Sequence, residues 1–272
     1  MTETAGGEAG GPASADRVST DFVQSLARGL GVIRAFDGDH PALRLSDVAR
    51  RTDLTRAAAR RFLLTLEGLG YVRSDDGVFS LTPRVLELGF SYLSAAQLPA
   101  LVQPHLVDLA ERIDESASAA VRDDTDIVYV GRVAPRRIMS VGITVGTRFP
   151  AASTSMGRVL LAALDDGEVR ALLERSPLEA HTPSTLTDPE DLLRAVADVR
   201  AQGWALVDGE LETGLLSVAA PVHDARGRVI AAVNVALPSA RIDADRARSD
   251  ILPALVETAR RIDENLRLQH PR

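Results

Sequence analysis

The sequence predicts an α+β protein with an N-terminal winged helix-turn-helix, a linker helix and a larger C-terminal sheet domain. Three observations carry that reading. Residues 45–81 run as helix, tight break, arginine-bearing helix and hairpin. A proline-opened helix follows at Pro83. Beyond it, short β-rich runs are interspersed with helical patterns, as expected of helices packed on a sheet.

The first 21 residues are rich in Gly, Ala, Glu and Ser. They lack the basic start and apolar core of a signal peptide, so a disordered tail is expected. Residues 22–82 form the first domain. Leu26, Leu30 and Ile33 recur at helical spacing and give a helix that ends at Phe36, before Asp37-Gly38-Asp39-His40-Pro41. Ser46 is placed to cap a second helix running to Thr52, and Asp53-Leu54 makes the break. Thr55 then caps a third helix, stopped near Leu69 by Gly70. Phe62, Leu63, Leu66 and Leu69 share its inward face with Ala58 and Ala59. Tyr71 to Leu81 gives two strands around an Asp-Gly turn, a wing.

That order of elements names double-stranded DNA as the partner. Thr55, Arg56 and Arg60 fall on the outward face with Arg61 at its flank, and Ala57 is small enough to allow close approach to a groove. Guanidinium forks at these positions suit guanine edges and phosphates. Arg50 on the preceding helix and Arg73 in the wing would steady the backbone. Most arginine clusters are solvated, salt-bridged surface; the helix, break, capped basic helix and hairpin in sequence favour DNA over that reading.

The net charge of −7 does not oppose it. Residues 22–94 hold ten Arg against eight acids, and between Arg44 and Arg61 the count is six to two. Phosphate binding depends on local contacts rather than on total charge. All 31 basic residues are Arg, and there is no cysteine, which excludes disulfides and thiolate metal sites. Five scattered histidines have no ligand spacing, so neither metal nor cofactor is expected. No apolar run reaches membrane-spanning length, and a cytoplasmic location is expected.

Residues 83–97 are expected to form the linker helix, with Leu86, Phe90 and Leu93 spaced as a dimer face. Residues 98–270 form the second domain. A helix at 104–115 leads to strands at 118–122, 127–133 and 139–145, closed by 146–150. Helices follow at 155–164, 167–175 and 188–202. Strands at 216–222 and 229–237 flank a turn at 224–227, and a long amphipathic helix occupies 243–268. The hairpin with its Asp-x-x-Gly turn resembles the GAF/PAS-like ligand-sensing fold. An enzyme that metabolises a small molecule on such a domain is the alternative, but no nucleophile elbow, zinc helix, phosphate loop or dinucleotide fingerprint is present. Ser153-Thr154-Ser155 has no base near it in sequence.

Longer stretches carry a resemblance. Thr55-Arg56-Ala57-Ala58-Ala59-Arg60-Arg61-Phe62, Gly146-Thr147-Arg148-Phe149-Pro150, Thr154-Ser155-Met156-Gly157-Arg158, Gly203-Trp204-Ala205-Leu206-Val207-Asp208 and Leu215-Leu216-Ser217-Val218-Ala219-Ala220-Pro221-Val222 are specific in combination. The chain resembles the IclR-type transcriptional regulators from about Phe22 to Arg267, and within them the PcaR/PcaU/PobR branch. The resemblance implies control of protocatechuate, 4-hydroxybenzoate and β-ketoadipate catabolism. It implies a homodimer or a dimer of dimers, and a C-terminal effector domain that takes a small carboxylate, aromatic acids among them. Carried over by position, the effector residues would be Ser155, Met156, Asp208, Ser217, Asn234 and Ala236, with Arg148 as counter-charge. Gly209 and Leu216 depart from the branch pattern beside the implied pocket.

Overall fold

The computed structural model describes residues 22–89, 98–134 and 143–269. The chain divides into two compact units, Met1–Ser91 and Tyr92–Arg272.

In the first unit, α1 (Gln24–Arg34) precedes β1 (Ala42–Arg44), α2 (Leu45–Arg51), α3 (Arg56–Gly68), β2 (Val72–Asp75) and β3 (Val78–Leu81). The strands pair antiparallel in the order β1-β3-β2, so the wing gains a third strand that sequence periodicity did not reveal. Three residues are too few to show a period. β1 also displaces the expected cap. It runs straight into α2, whose N-cap is Arg44, and Ser46 lies inside the helix. Asp53 adopts φ 51°, and the Thr55 hydroxyl accepts the Ala58 N–H at 3.2 Å to start α3 as expected. Gly70, at φ +81°, follows α3. The wing turns at Asp76 and Gly77, both at positive φ, the twist a two-residue hairpin needs.

Val32, Phe36, Leu43, Val48, Ala59, Leu63, Leu66, Val72 and Phe79 make the core of this unit. Each large side chain withdrawn from water contributes about 1.5–3 kcal/mol. Leu69, expected inward, is 52% exposed, because it follows the last turn of α3. Leu26 and Leu30 are exposed as well, and α1 buries Val32 instead. Of the expected linker helix, Pro83–Val85 form a 3-10 turn and residues 86–89 are helical; the rest lies outside the described residues.

The second unit is a six-stranded antiparallel sheet in the order β6-β5-β4-β9-β8-β7. The strands are β4 (Ser116–Asp123), β5 (Asp126–Val133), β6 (Arg148–Pro150), β7 (Ala205–Asp208), β8 (Leu215–His223) and β9 (Val229–Pro238). Helices α4 (Leu98–Ile113) and α8 (Leu252–Gln269) cover one face, burying Leu106, Leu109, Leu216, Val218, Val235, Leu255 and Ile262. Helices α5 (Ser155–Ala162), α6 (Asp166–Arg175) and α7 (Pro189–Gln202) cover the other, burying Tyr129, Met156, Leu160, Leu192, Val196 and Ala219. Alternate residues of each strand thus serve two separate cores.

Four expectations need correction here. The expected strand at 139–145 falls partly outside the described residues, residues 143–145 are not strand, and β6 lies at Arg148–Pro150 instead. α4 begins six residues before Pro104, which sits inside it. β7 was not among the expected strands, its four residues being too few to declare a period. The C-terminal helix is broken as well: Ala244–Arg246 pass through a π turn, Ala247–Ile251, into α8.

Candidate nucleic-acid face and effector cavity

In the first unit the outward face of α3 presents Arg56, Ala57, Arg60 and Arg61 to solvent. Seven of the ten arginines between residues 22 and 94 have no carboxylate partner among the described residues: Arg28, Arg34, Arg44, Arg56, Arg60, Arg61 and Arg73. An unpaired guanidinium keeps its field and its donors for phosphate. Arg73 is held on the wing by a 3.0 Å hydrogen bond from Nε to the Ser80 hydroxyl. Arg50, by contrast, is tied to Asp47 at 3.0 Å one turn back. Arg51 donates to Asp37 at 2.5 Å and lies 3.0 Å from His40 Nδ1. The His40 hydrogen bond is also the main reason the Asp37 carboxyl titrates below its ordinary value. Arg84 donates to the Leu69 carbonyl and stacks over Tyr71 at 5.4 Å. Arg44, on β1, was missed because the strand carrying it was missed.

In the second unit a cavity of about 500 Å³ opens on the α5 face of the sheet, beyond the first turn of that helix. Its volume falls in the range of small-molecule sites. The strand register builds the floor. Ser116, Ala236, Ser217 and Val207 lie side by side across β4, β9, β8 and β7. One row further, Arg132, Ser118 and Asn234 lie across β5, β4 and β9. Small residues in the first row leave the volume; polar residues in the second give it character.

Two buried polar atoms in the wall have no hydrogen-bond partner among the described residues: Ser155 Oγ and Asn234 Oδ1. Such atoms are rare, because each costs about 1–3 kcal/mol of lost hydration. Ser155 does not cap α5; Thr154 does, accepting the Gly157 N–H at 3.1 Å, which leaves the Ser155 hydroxyl unspent. Arg132 supplies the cation. Its Nη1 donates to Ser118 Oγ at 3.3 Å, and no described carboxylate pairs with it. Burial pushes its pKa down, so a bound anion would relieve a desolvated charge. Tyr129, whose phenol burial holds above its usual range, meets Phe149 edge-on at 5.9 Å to form an aromatic wall. Glu115 also lines the cavity, but its carboxylate is engaged by Arg241.

Of the residues expected here, Ser155, Ser217, Asn234 and Ala236 line the cavity. Arg148 does not: its guanidinium binds Asp123 at 2.6 Å and Asp126 at 3.0 Å on the exposed edge of the sheet, and the Asp123 hydrogen bond foremost keeps its pKa above the ordinary value. Met156 points into the α5 core, and Asp208 is exposed at the end of β7. Leu216 faces the α4 and α8 side of the sheet, away from the cavity, and Gly209 is a buried turn residue at φ +68°. Arg132 and Tyr129 were missed because strict alternation sets residues three apart on opposite faces; only the bulge in β5 opposite Ala119/Ala120 brings both to one face.

Comparison with known proteins agrees with both halves. The IclR helix-turn-helix domain matches residues 25–76, and the bacterial transcriptional regulator IclR C-terminal domain matches residues 90–264. The Pca regulon regulatory protein of Pseudomonas putida is 46% identical over 241 residues, 88% of this chain and 83% of that protein. Among solved structures, a transcriptional regulator of Rhodococcus sp. RHA1 superposes with TM-score 0.81 at 53% identity, covering 92% of this chain and all of that one. An IclR homolog from Microbacterium hydrocarbonoxydans, complexed with 4-hydroxybenzoate, gives TM-score 0.78 at 28% identity over 90% of this chain and all of that one.

Proposed function

The chain belongs to the IclR family of DNA-binding transcriptional regulators and is not an enzyme; from that premise we propose that it is switched by a hydroxylated aromatic acid held in the second-unit cavity. The genes it controls would serve breakdown of such acids, a reading supported by the likeness to a Pca regulon regulatory protein and to an IclR homolog complexed with 4-hydroxybenzoate. One observation carries the ligand class: Asn234 Oδ1 and Ser155 Oγ, with no partner among the described residues, converge with Arg132 on one cavity. Arg132 and Asn234 stand two strand spacings apart, roughly 10 Å between backbones. A single ring with a carboxylate at one end and a hydroxyl at the other can bridge their side chains. The carboxylate would pair with Arg132, and the hydroxyl would donate to Asn234 Oδ1. Ser217 and Ala236 leave room for the ring, and Tyr129 and Phe149 give it an apolar wall.

On the DNA side, Arg56, Arg60 and Arg61 with Thr55 and Ala57 would enter the major groove, and Arg73 and Arg44 would hold phosphates. Arg50 would have to leave Asp47 to join them. Leu26 and Leu30 on the first helix, with Phe22 and Val23 just ahead of it, are exposed apolar side chains, which supports a homodimer on a pseudo-palindromic operator. Residues 83–97 would join reading head and sensor, with residues 1–21 ahead of both. A cytoplasmic location fits the DNA partner.

Isothermal titration of the full chain with 4-hydroxybenzoate, protocatechuate, benzoate and β-ketoadipate tests the effector class. Saturable binding of the two hydroxylated rings, with benzoate weaker by about tenfold for one lost hydrogen bond, is expected. Equal binding of benzoate, or of the aliphatic acid alone, would reject it.

A further inference from the structure

Behind the cavity lies an ion pair that touches no part of it. Arg158, on α5, donates from Nη2 to Glu210 Oε2 at 2.6 Å, and both side chains are nearly sealed from water. Each partner holds a different wall. Arg158 Nε donates to the Ala152 carbonyl at 3.0 Å, within the turn Ala151–Ser153 that leads to the cavity residues Ser153, Thr154 and Ser155. Glu210 begins the segment whose next four residues, Leu211, Glu212, Thr213 and Gly214, line the opposite side.

Glu210 is itself anchored from behind. Its Oε2 accepts the Leu186 N–H at 3.3 Å, and its carbonyl accepts the Thr185 hydroxyl at 2.6 Å. The preceding Gly209 carbonyl accepts the Thr182 hydroxyl at 2.6 Å. The 182–186 turn, the 209–214 loop and the 151–155 turn therefore meet at one buried charge pair.

We propose that Arg158 and Glu210 are positioning residues for the effector site, a strut that fixes the spacing of the two cavity walls without touching the ligand. A buried pair that mattered only for stability could be replaced by apolar side chains of similar volume at little cost to folding. A strut could not, because directional bonds to the Ala152 carbonyl and the Leu186 N–H would be lost with it. The proposal rests on the effector reading above for its ligand arm, but its loop arm does not.

The test uses the full chain with Glu210→Gln and with the double variant Arg158→Met/Glu210→Met. In ligand-free protein, amide hydrogen exchange at residues 211–214 and 152–155 should rise together, by about tenfold or more, while α4 and α8 stay protected. The same variants should bind 4-hydroxybenzoate at least about tenfold more weakly than wild type, since a loosened site must be ordered on binding. Restoring a charged pair with Arg158→Lys, in the Glu210 background, should recover part of both effects. Wild-type exchange at both walls in the double variant, or failure of both variants to fold, would overturn the strut and leave the pair a core element. Absence of 4-hydroxybenzoate binding to wild type would reject the effector reading, and the exchange data would still decide the strut.

Discussion

Asn234 sits in the sheet with an oxygen that nothing described satisfies. If that oxygen is kept for a ligand, its removal should separate stability from function. Asn234→Leu is expected to raise the melting temperature of the ligand-free protein, by an amount matching about 1 kcal/mol, and to erase the preference for hydroxylated over plain benzoate. Thermal unfolding with paired titrations measures both, and a fall in stability with preference intact would contradict the assignment. Arg132→Gln should reduce affinity for every carboxylate tested, because a charge-assisted hydrogen bond is worth about 1.5–3 kcal/mol. The arginines of the first unit separate in the same way. Arg56→Ala or Arg60→Ala should cost about 1–3 kcal/mol of discrimination between operator variants. Arg73→Ala should weaken all duplexes alike and reduce the salt slope by about one. Anisotropy titrations at several salt concentrations distinguish the two patterns.

At the scale of elements, α5 depends on one glycine. A Cβ at Gly157 would lie 2.0 Å from the Ala151 carbonyl oxygen, so the helix start and the Ala151–Ser153 turn touch backbone to backbone. Gly157→Ala must push that turn away, at a cost of about 1–3 kcal/mol or more, and should weaken effector binding as well as lower the melting temperature. Circular dichroism melts and titration read both; an unchanged affinity would mean the turn does not shape the cavity. The α4–α8 contact brings a pH dependence. His105 is buried, and its Nε2 lies 2.8 Å from the Asn265 amide, which donates only to a neutral ring. Burial, the larger cause, and Arg261 push its pKa below 6.5. With the folded value depressed, the unfolded chain takes up the proton first. Stability is therefore full above pH 6.5 and declines as pH falls through the folded value. His105→Gln should flatten that decline in melting temperature.

These elements also show what periodicity can and cannot disclose. The α3 face and its Thr55 cap were legible because thirteen helical residues sample the period several times over. β1, β6 and β7, with three or four residues each, gave no period to read and emerged only through pairing with longer neighbours. The cavity was legible where family position fixed it, at Ser155, Ser217, Asn234 and Ala236. It was not legible at Arg132, because the register that sets Arg132 and Asn234 on one row is a property of three strands together. Arg148 misled for a related reason: a cation beside a family motif says nothing of the carboxylates that Asp123 and Asp126 bring to it from a neighbouring turn.

For the whole molecule, the charge division explains how an acidic chain serves DNA. Within residues 22–94, seven arginines have no carboxylate partner among the described residues and leave the local field positive, while the second unit spends arginines on carboxylates such as Asp123, Glu190, Glu210 and Glu257. Duplex affinity should therefore fall steeply as salt rises, despite a net charge of −7. The apolar stripe on α1 predicts a homodimer, and Leu26→Glu with Leu30→Glu should shift sedimentation toward the monomer and weaken operator binding. The cavity is the premise on which regulation stands, and a crystal structure of the full chain with 4-hydroxybenzoate tests it most directly. The carboxylate should lie within hydrogen-bond distance of the Arg132 guanidinium and the phenolic oxygen within reach of Asn234 Oδ1. Ligand density elsewhere, or in this cavity with neither side chain touched, would contradict the account.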